Sequence, residues 1–134
     1  MSNPKILIVD DEPDIVQMIS RRLKAAGYEV STAYDGQQAL DMVRETLPQL
    51  VILDLMLPKL DGYKVCRLLK FDERFKEIPV LIFTARANAE DIQLATECGA
   101  SAYLNKPFEP HILLSMVEKL LLPKAKGSAQ KEVP

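Results

Sequence analysis

Five short apolar runs alternate along the chain with five stretches in which apolar residues recur every three or four positions. That alternation predicts an α/β fold: a parallel sheet covered on both faces. The runs are Ile6 to Val9, Tyr28 to Ala33, Leu50 to Leu53, Val80 to Phe83 and Ala102 to Leu104. The first, third and fourth are uninterrupted, the texture of central strands with no face in water. The second alternates, with Tyr28, Val30 and Thr32 set against Glu29 and Ser31, and the fifth is short, so both read as edges. With those two outside, right-handed crossovers leave the strand order 2-1-3-4-5 in a doubly wound (βα)5 sheet. The ends of the first and third strands then lie side by side.

Between the runs, Ile15, Met18, Ile19 and Leu23 form one helical stripe that stops at Gly27; Leu40, Val43 and Leu47 form a second that ends near Pro48. The third runs from about Gly62 through Val65, Leu68 and Leu69. The fourth spans roughly Asn88 to Glu97 with Ala89, Ile92 and Ala95, and stops at Gly99. The fifth is the clearest, carrying Ile112, Leu113, Met116, Val117, Leu120 and Leu121. Residues 123–134 are polar and rich in breakers, which predicts one domain over 1–122 followed by a tail or linker stub.

Bulk composition narrows the function without naming it. The 134 residues are 48% apolar and 27% charged, ordinary for one globular domain, and the net charge of −2 gives no basis for direct nucleic-acid binding. The apolar runs fall short of a membrane span and the first residues do not form a signal peptide, so the expected location is the cytoplasm. Cys66 and Cys98 lack metal-ligand spacing and read as buried or half-buried thiols. His111, the only histidine, follows Pro110 at a helix start with no second ligand type grouped with it.

Chemistry enters at the strand ends. Asp10 and Asp11 close the first run and Asp54 closes the third, so the predicted order brings three carboxylates to the carboxyl edge of the sheet, where open α/β sheets bind ligands. The segment from Asp10 to Asp14 also reads as an acidic helix start with Pro13 in the first turn. Asp54 tips the balance, because an acid closing a central strand has no capping need that explains its pairing with the first two. Such a cluster repels itself unless a cation compensates, and an all-oxygen set with few protein donors suits Mg²⁺ or Mn²⁺ better than Ca²⁺. Thr84 and Lys106 follow the fourth and fifth runs at the same edge. Together these groups make a phosphoryl site, in which a carboxylate can attack phosphorus to form an acyl phosphate.

Taken in order, Asp10-Asp11, Asp54 within Leu53-Asp54-Leu55-Met56-Leu57-Pro58, Asp61-Gly62, Thr84-Ala85 and Lys106-Pro107-Phe108 resemble the receiver domain of bacterial two-component response regulators, over roughly residues 4 to 122. The fold of that family is flavodoxin-like with the 2-1-3-4-5 order, so the expected topology is not independent of the resemblance. The resemblance implies that Asp54 accepts a phosphoryl group from a phosphohistidine on a sensor histidine kinase or a histidine phosphotransfer protein. It implies that Asp11, Asp54 and the Met56 backbone carbonyl ligate Mg²⁺, with Asp10 acting directly or through water, and that Thr84 and Lys106 contact the phosphoryl oxygens. Self-catalysed transfer to Asp54 and autodephosphorylation would be its only catalysis. Thr84 and Tyr103 would be the switch residues, the face from about Asn88 to Leu122 would be read by a downstream target, a fused output domain or a second copy, and Lys106-Pro107 would be a cis peptide.

One departure qualifies that picture. Winged-helix members often dimerise through arginine–aspartate pairs where this chain has Ser101-Ala102 and Pro110-His111-Ile112, which puts that dimer mode in doubt. Arg86 and Met56 occupy positions at which the family tunes the lifetime of the phosphoaspartate. Three rivals are weaker on the residues. An aspartyl-nucleophile phosphatase usually wants a second acid where Met56 stands, and a flavodoxin-like cofactor binder wants a phosphate-cradling loop where Asp10-Asp11-Glu12 would repel one. A pure interaction module has no use for the full set of Asp10, Asp11, Asp54, Thr84 and Lys106.

Overall fold

The computed structural model describes residues 3–57, 61–85 and 89–122. Strands β1 (Lys5–Val9), β2 (Glu29–Ala33), β3 (Leu50–Asp54), β4 (Val80–Thr84) and β5 (Ala102–Asn105) alternate with helices α1 (Pro13–Ala25), α2 (Gly36–Thr46), α3 (Gly62–Lys70), α4 (Ala89–Glu97) and α5 (Pro110–Leu121). Every strand pairing is parallel and the order is β2-β1-β3-β4-β5, as the texture of the runs predicts. β3 and β4 are buried throughout and β1 after its first residue, whereas β2 and β5 are mostly half-exposed. Full burial of a Leu, Ile or Val is worth about 1.5–3 kcal/mol, so the uninterrupted runs belong at the centre and Ser31 and Thr32 at the margin.

Alternation along the central strands splits the core in two. Leu7, Val9, Val51, Leu53 and Ile82 pack with Ala39, Val43, Val65, Leu69 and Ala95 from α2, α3 and α4. Ile6, Ile8, Leu50, Ile52, Leu81 and Phe83 pack with Val16, Ile19, Leu23, Leu113 and Val117 from α1 and α5. Gly27 and Gly99, at φ +99° and +94°, turn the chain after α1 and α4 in the left-handed region that favours glycine, where the stops were expected.

The helical stripes differ from expectation in detail. Met18, Leu47, Leu68 and Ile92 are exposed, while Val16, Ala39, Cys66 and Asp91 lie inside. A helix laid on a sheet buries a narrow strip, so a stripe drawn one position off turns its outer member to water. Leu47 is the C-cap of α2 at φ +48° and has left the helix. Asp91 is tolerated inside because the Tyr63 hydroxyl of α3 donates to its Oδ1 at 2.9 Å. Both cysteines are buried, and His111 is an exposed residue beside Glu109. The expected start of the fourth helix at Asn88, Arg86, Pro58 and the tail 123–134 lie outside the described residues.

Candidate functional site

Register brings the strand ends level. Val9 pairs with Leu53, Asp54 with Phe83 and Thr84 with Asn105, so Asp10, Asp54, Thr84 and Lys106 follow one another along the carboxyl edge. Two of these strand-end carboxylates use their oxygens the same way. Asp10 Oδ1 accepts the backbone N–H of Glu12 at 3.0 Å and Asp54 Oδ1 accepts that of Met56 at 3.1 Å, each a local turn that orders the loop two residues on. Both second oxygens then face one ammonium: Lys106 Nζ donates to Asp10 Oδ2 and to Asp54 Oδ2, each at 3.0 Å. Glu12 Oε1 adds a longer contact at 3.4 Å.

One oxygen each from Asp10, Asp11 and Asp54 can be chosen so that all three lie within 4.8 Å of one another. Asp10 and Asp54 are buried and Asp11 is exposed, so the cluster opens toward water on the Asp11 side. Among the described residues the pocket, with Glu12, sets four carboxylates against one lysine. Burial is the main reason that the Asp10 carboxyl is pushed up to about 6; the Glu12 N–H and Lys106 pull it down and the charge on Asp54 adds to the rise. Burial also disfavours the Lys106 ammonium, yet its bonds to Asp10 and Asp54 outweigh that and hold its pKa above the ordinary lysine value. An acidic, all-oxygen pocket whose charge one lysine does not balance fits a hard divalent cation.

Thr84 ends β4 fully buried, and its carbonyl accepts the Lys106 backbone N–H at 2.8 Å, which ties the two loops at the edge. The Lys106–Pro107 peptide is cis, as the resemblance implies. Met56 stands beside the pocket about half exposed to water. Tyr103 is half-buried on β5 and packs against the core cluster that includes Ala95 and Cys98. Two participants escaped the sequence reading in these roles. Glu12 belonged to a run read as a helix start, and Phe83, whose ring centroid is 4.8 Å from Lys106 Nζ, belonged to a strand read only as core.

The family model of the response regulator receiver domain matches residues 6–118. The chain belongs to that family. It is 44% identical over 118 residues to the "DNA-binding dual master transcriptional regulator RpaA" of Synechocystis, a match covering 88% of this chain and 49% of that protein. The chain therefore spans about half the length of that curated relative. Among solved structures, the chemotaxis protein CheY4 of Vibrio cholerae superposes with a TM-score of 0.85 at 34% identity, covering 90% of this chain and all of that one. A putative response regulator from Chloroflexus aurantiacus gives 0.86 at 37%, covering 90% and 98%. This is a receiver domain of the two-component response-regulator kind, and its aspartate cluster fits a phosphorelay switch. Among the described residues no helix is long and apolar enough to cross a membrane.

Proposed function

We propose that Asp54 is the phosphoacceptor of this receiver domain and that Asp10, Asp11, Asp54 and the Met56 backbone carbonyl hold Mg²⁺ beside it, with Mn²⁺ as a substitute. The observation that carries this reading is the convergence of three carboxylates and one ammonium at the end of β3. The donor is a phosphohistidine of a sensor histidine kinase or a histidine phosphotransfer protein. An Asp54 carboxylate oxygen attacks phosphorus in line, the P–N bond breaks, and the imidazole leaves with its electron pair. Lys106 neutralises charge on the phosphoryl oxygens and the Thr84 hydroxyl donates to one of them. Bound magnesium would supply the remaining charge neutralisation. Hydrolysis of the same acyl phosphate resets the protein, and that pair of reactions is all the catalysis required.

A dianionic phosphoryl group favours the arrangement with Thr84 drawn close, and so shifts the population of the domain. The face formed by α4, β5 and α5, with Tyr103 at its centre, reports the shift to a downstream protein, a fused output domain or a second copy. Intact mass after incubation with acetyl phosphate tests the acceptor reading. One phosphoryl adduct is expected with Mg²⁺ and none with excess chelator; an unchanged mass in both would leave only an interaction module.

Tyr103→Ala is expected to leave phosphorylation within about twofold of the parent and to weaken phosphorylation-dependent binding or dimerisation by roughly tenfold. Loss of the adduct in that variant would break this division of labour. Asp10→Asn is expected to act in opposite directions on stability and on metal. Relieving a buried charge next to Asp54 raises metal-free stability by about 1 kcal/mol at neutral pH, while losing a ligand weakens Mg²⁺ binding roughly tenfold or more. Thermal melts with and without added Mg²⁺ read both; a variant less stable than the parent in chelator would mean that the attraction to Lys106 dominates.

A further inference from the structure

Lys106 is gripped by anions on one side and by a ring on another. Phe83 is fully buried on β4, in register with Asp54, and its ring centroid lies 4.8 Å from Lys106 Nζ. The Phe108 ring meets Phe83 with centroids 6.0 Å apart and planes at 69°, which fixes the orientation of the pair. A phenylalanine in a central strand has an ordinary reason to be there, since it fills the core with Ile8, Leu81 and Leu113. The ammonium gives it a second. A cation within about 6 Å of an aromatic centroid is attracted by the ring face, more strongly when both are desolvated, and the Lys106 side chain is only 13% exposed.

We propose that Phe83 is a positioning residue whose ring holds the Lys106 ammonium at the acceptor while the carboxylates are engaged elsewhere. This rests on the reading of Asp54 as phosphoacceptor and Lys106 as a ligand of the phosphoryl group. A hard dication draws on the oxygens of Asp10 and Asp54, so loading the metal loosens the anionic grip on Lys106 before a phosphoryl group has arrived to replace it. An aromatic ring is no ligand for such an ion, and its pull on the ammonium persists. Without that pull, a flexible four-carbon stem would let the charge drift toward water and Glu12.

Site-specific replacement of Phe83 by mono-, di- and trifluorophenylalanine drains the negative ring face with little change of shape. With acetyl phosphate and saturating Mg²⁺, the rate of adduct formation is expected to fall stepwise, by about fivefold across the series, while the melting temperature stays level. In a Lys106→Met background the same series should be flat. Independently of phosphorylation, the Lys106 ε-methylene protons should resonate upfield through the ring current of Phe83 and move downfield in Phe83→Leu. A rate indifferent to fluorination, a slope that survives Lys106→Met, or ε-methylene protons at ordinary lysine shifts would each overturn the proposal. Absence of any adduct in the parent would instead sink the acceptor reading, and the ε-methylene shift would still decide whether the ring holds the ammonium.

Discussion

Asp54→Asn is expected to give a folded protein that takes up no phosphoryl group. A neutral amide oxygen is a far poorer nucleophile than a carboxylate, so the acyl phosphate cannot form at that position. The replacement is nearly isosteric, and the asparagine oxygen can still accept the Met56 N–H that Asp54 Oδ1 receives at 3.1 Å. Lys106 keeps Asp10 at 3.0 Å and Glu12 at 3.4 Å. The pocket then carries three carboxylates in place of four, so its self-repulsion eases and metal-free stability rises by about 1 kcal/mol. Intact mass after acetyl phosphate and Mg²⁺, with a melt in chelator, separates chemistry from folding. An adduct equal to the parent's would mean that another residue is the acceptor, and a lower melting temperature would mean that Asp54 holds the cluster together instead of straining it.

What the chain reveals before folding, and what it hides, follows from how far apart the cooperating residues lie. Central strands are legible because a run such as Leu50 to Leu53 has no polar position to offer water, so it must sit between two layers. Asp10 and Asp54 are legible because a carboxylate directly after such a run is carried to the sheet edge by the strand itself. The outer member of a helical stripe is not, because a single displaced position keeps the spacing and reverses the burial, as at Met18, Leu68 and Ile92. Asp91 defeats the pattern for another reason. Its burial depends on a hydroxyl from Tyr63, 28 residues earlier on a different helix. Phe83 is hidden in the same way: within Val80 to Phe83 nothing marks which apolar side chain will meet an ammonium that arrives on the loop after β5. The division of labour within each carboxylate, one oxygen for its own loop and one for Lys106, is likewise a property of the assembled edge.

Gly62→Ala is expected to destabilise the domain and to disturb phosphoryl uptake together, because it strikes the floor of the same pocket. Gly62 opens α3, capped by Asp61, whose side chain accepts the Lys64 N–H at 3.0 Å. Its own N–H donates to the Leu55 carbonyl at 3.1 Å, which draws the helix start against the end of β3. A Cβ at this position would collide with the Asp54 carbonyl oxygen and lie 2.7 Å from Leu55 Cα. Both are backbone atoms, which cannot step aside as the far end of a side chain could. Alanine gains up to about 1 kcal/mol of helical preference over glycine, too little against an overpacking penalty of about 3 kcal/mol where strand and helix must part. The melting temperature is expected to fall on the order of 10 °C. Because the shift bears on the peptide that carries Asp54, phosphoryl uptake should fall as well, even well below the melt. A variant that melts within a degree or two of the parent and phosphorylates normally would show that α3 can stand off from β3, and that the close approach at Gly62 is not what sets the acceptor in place.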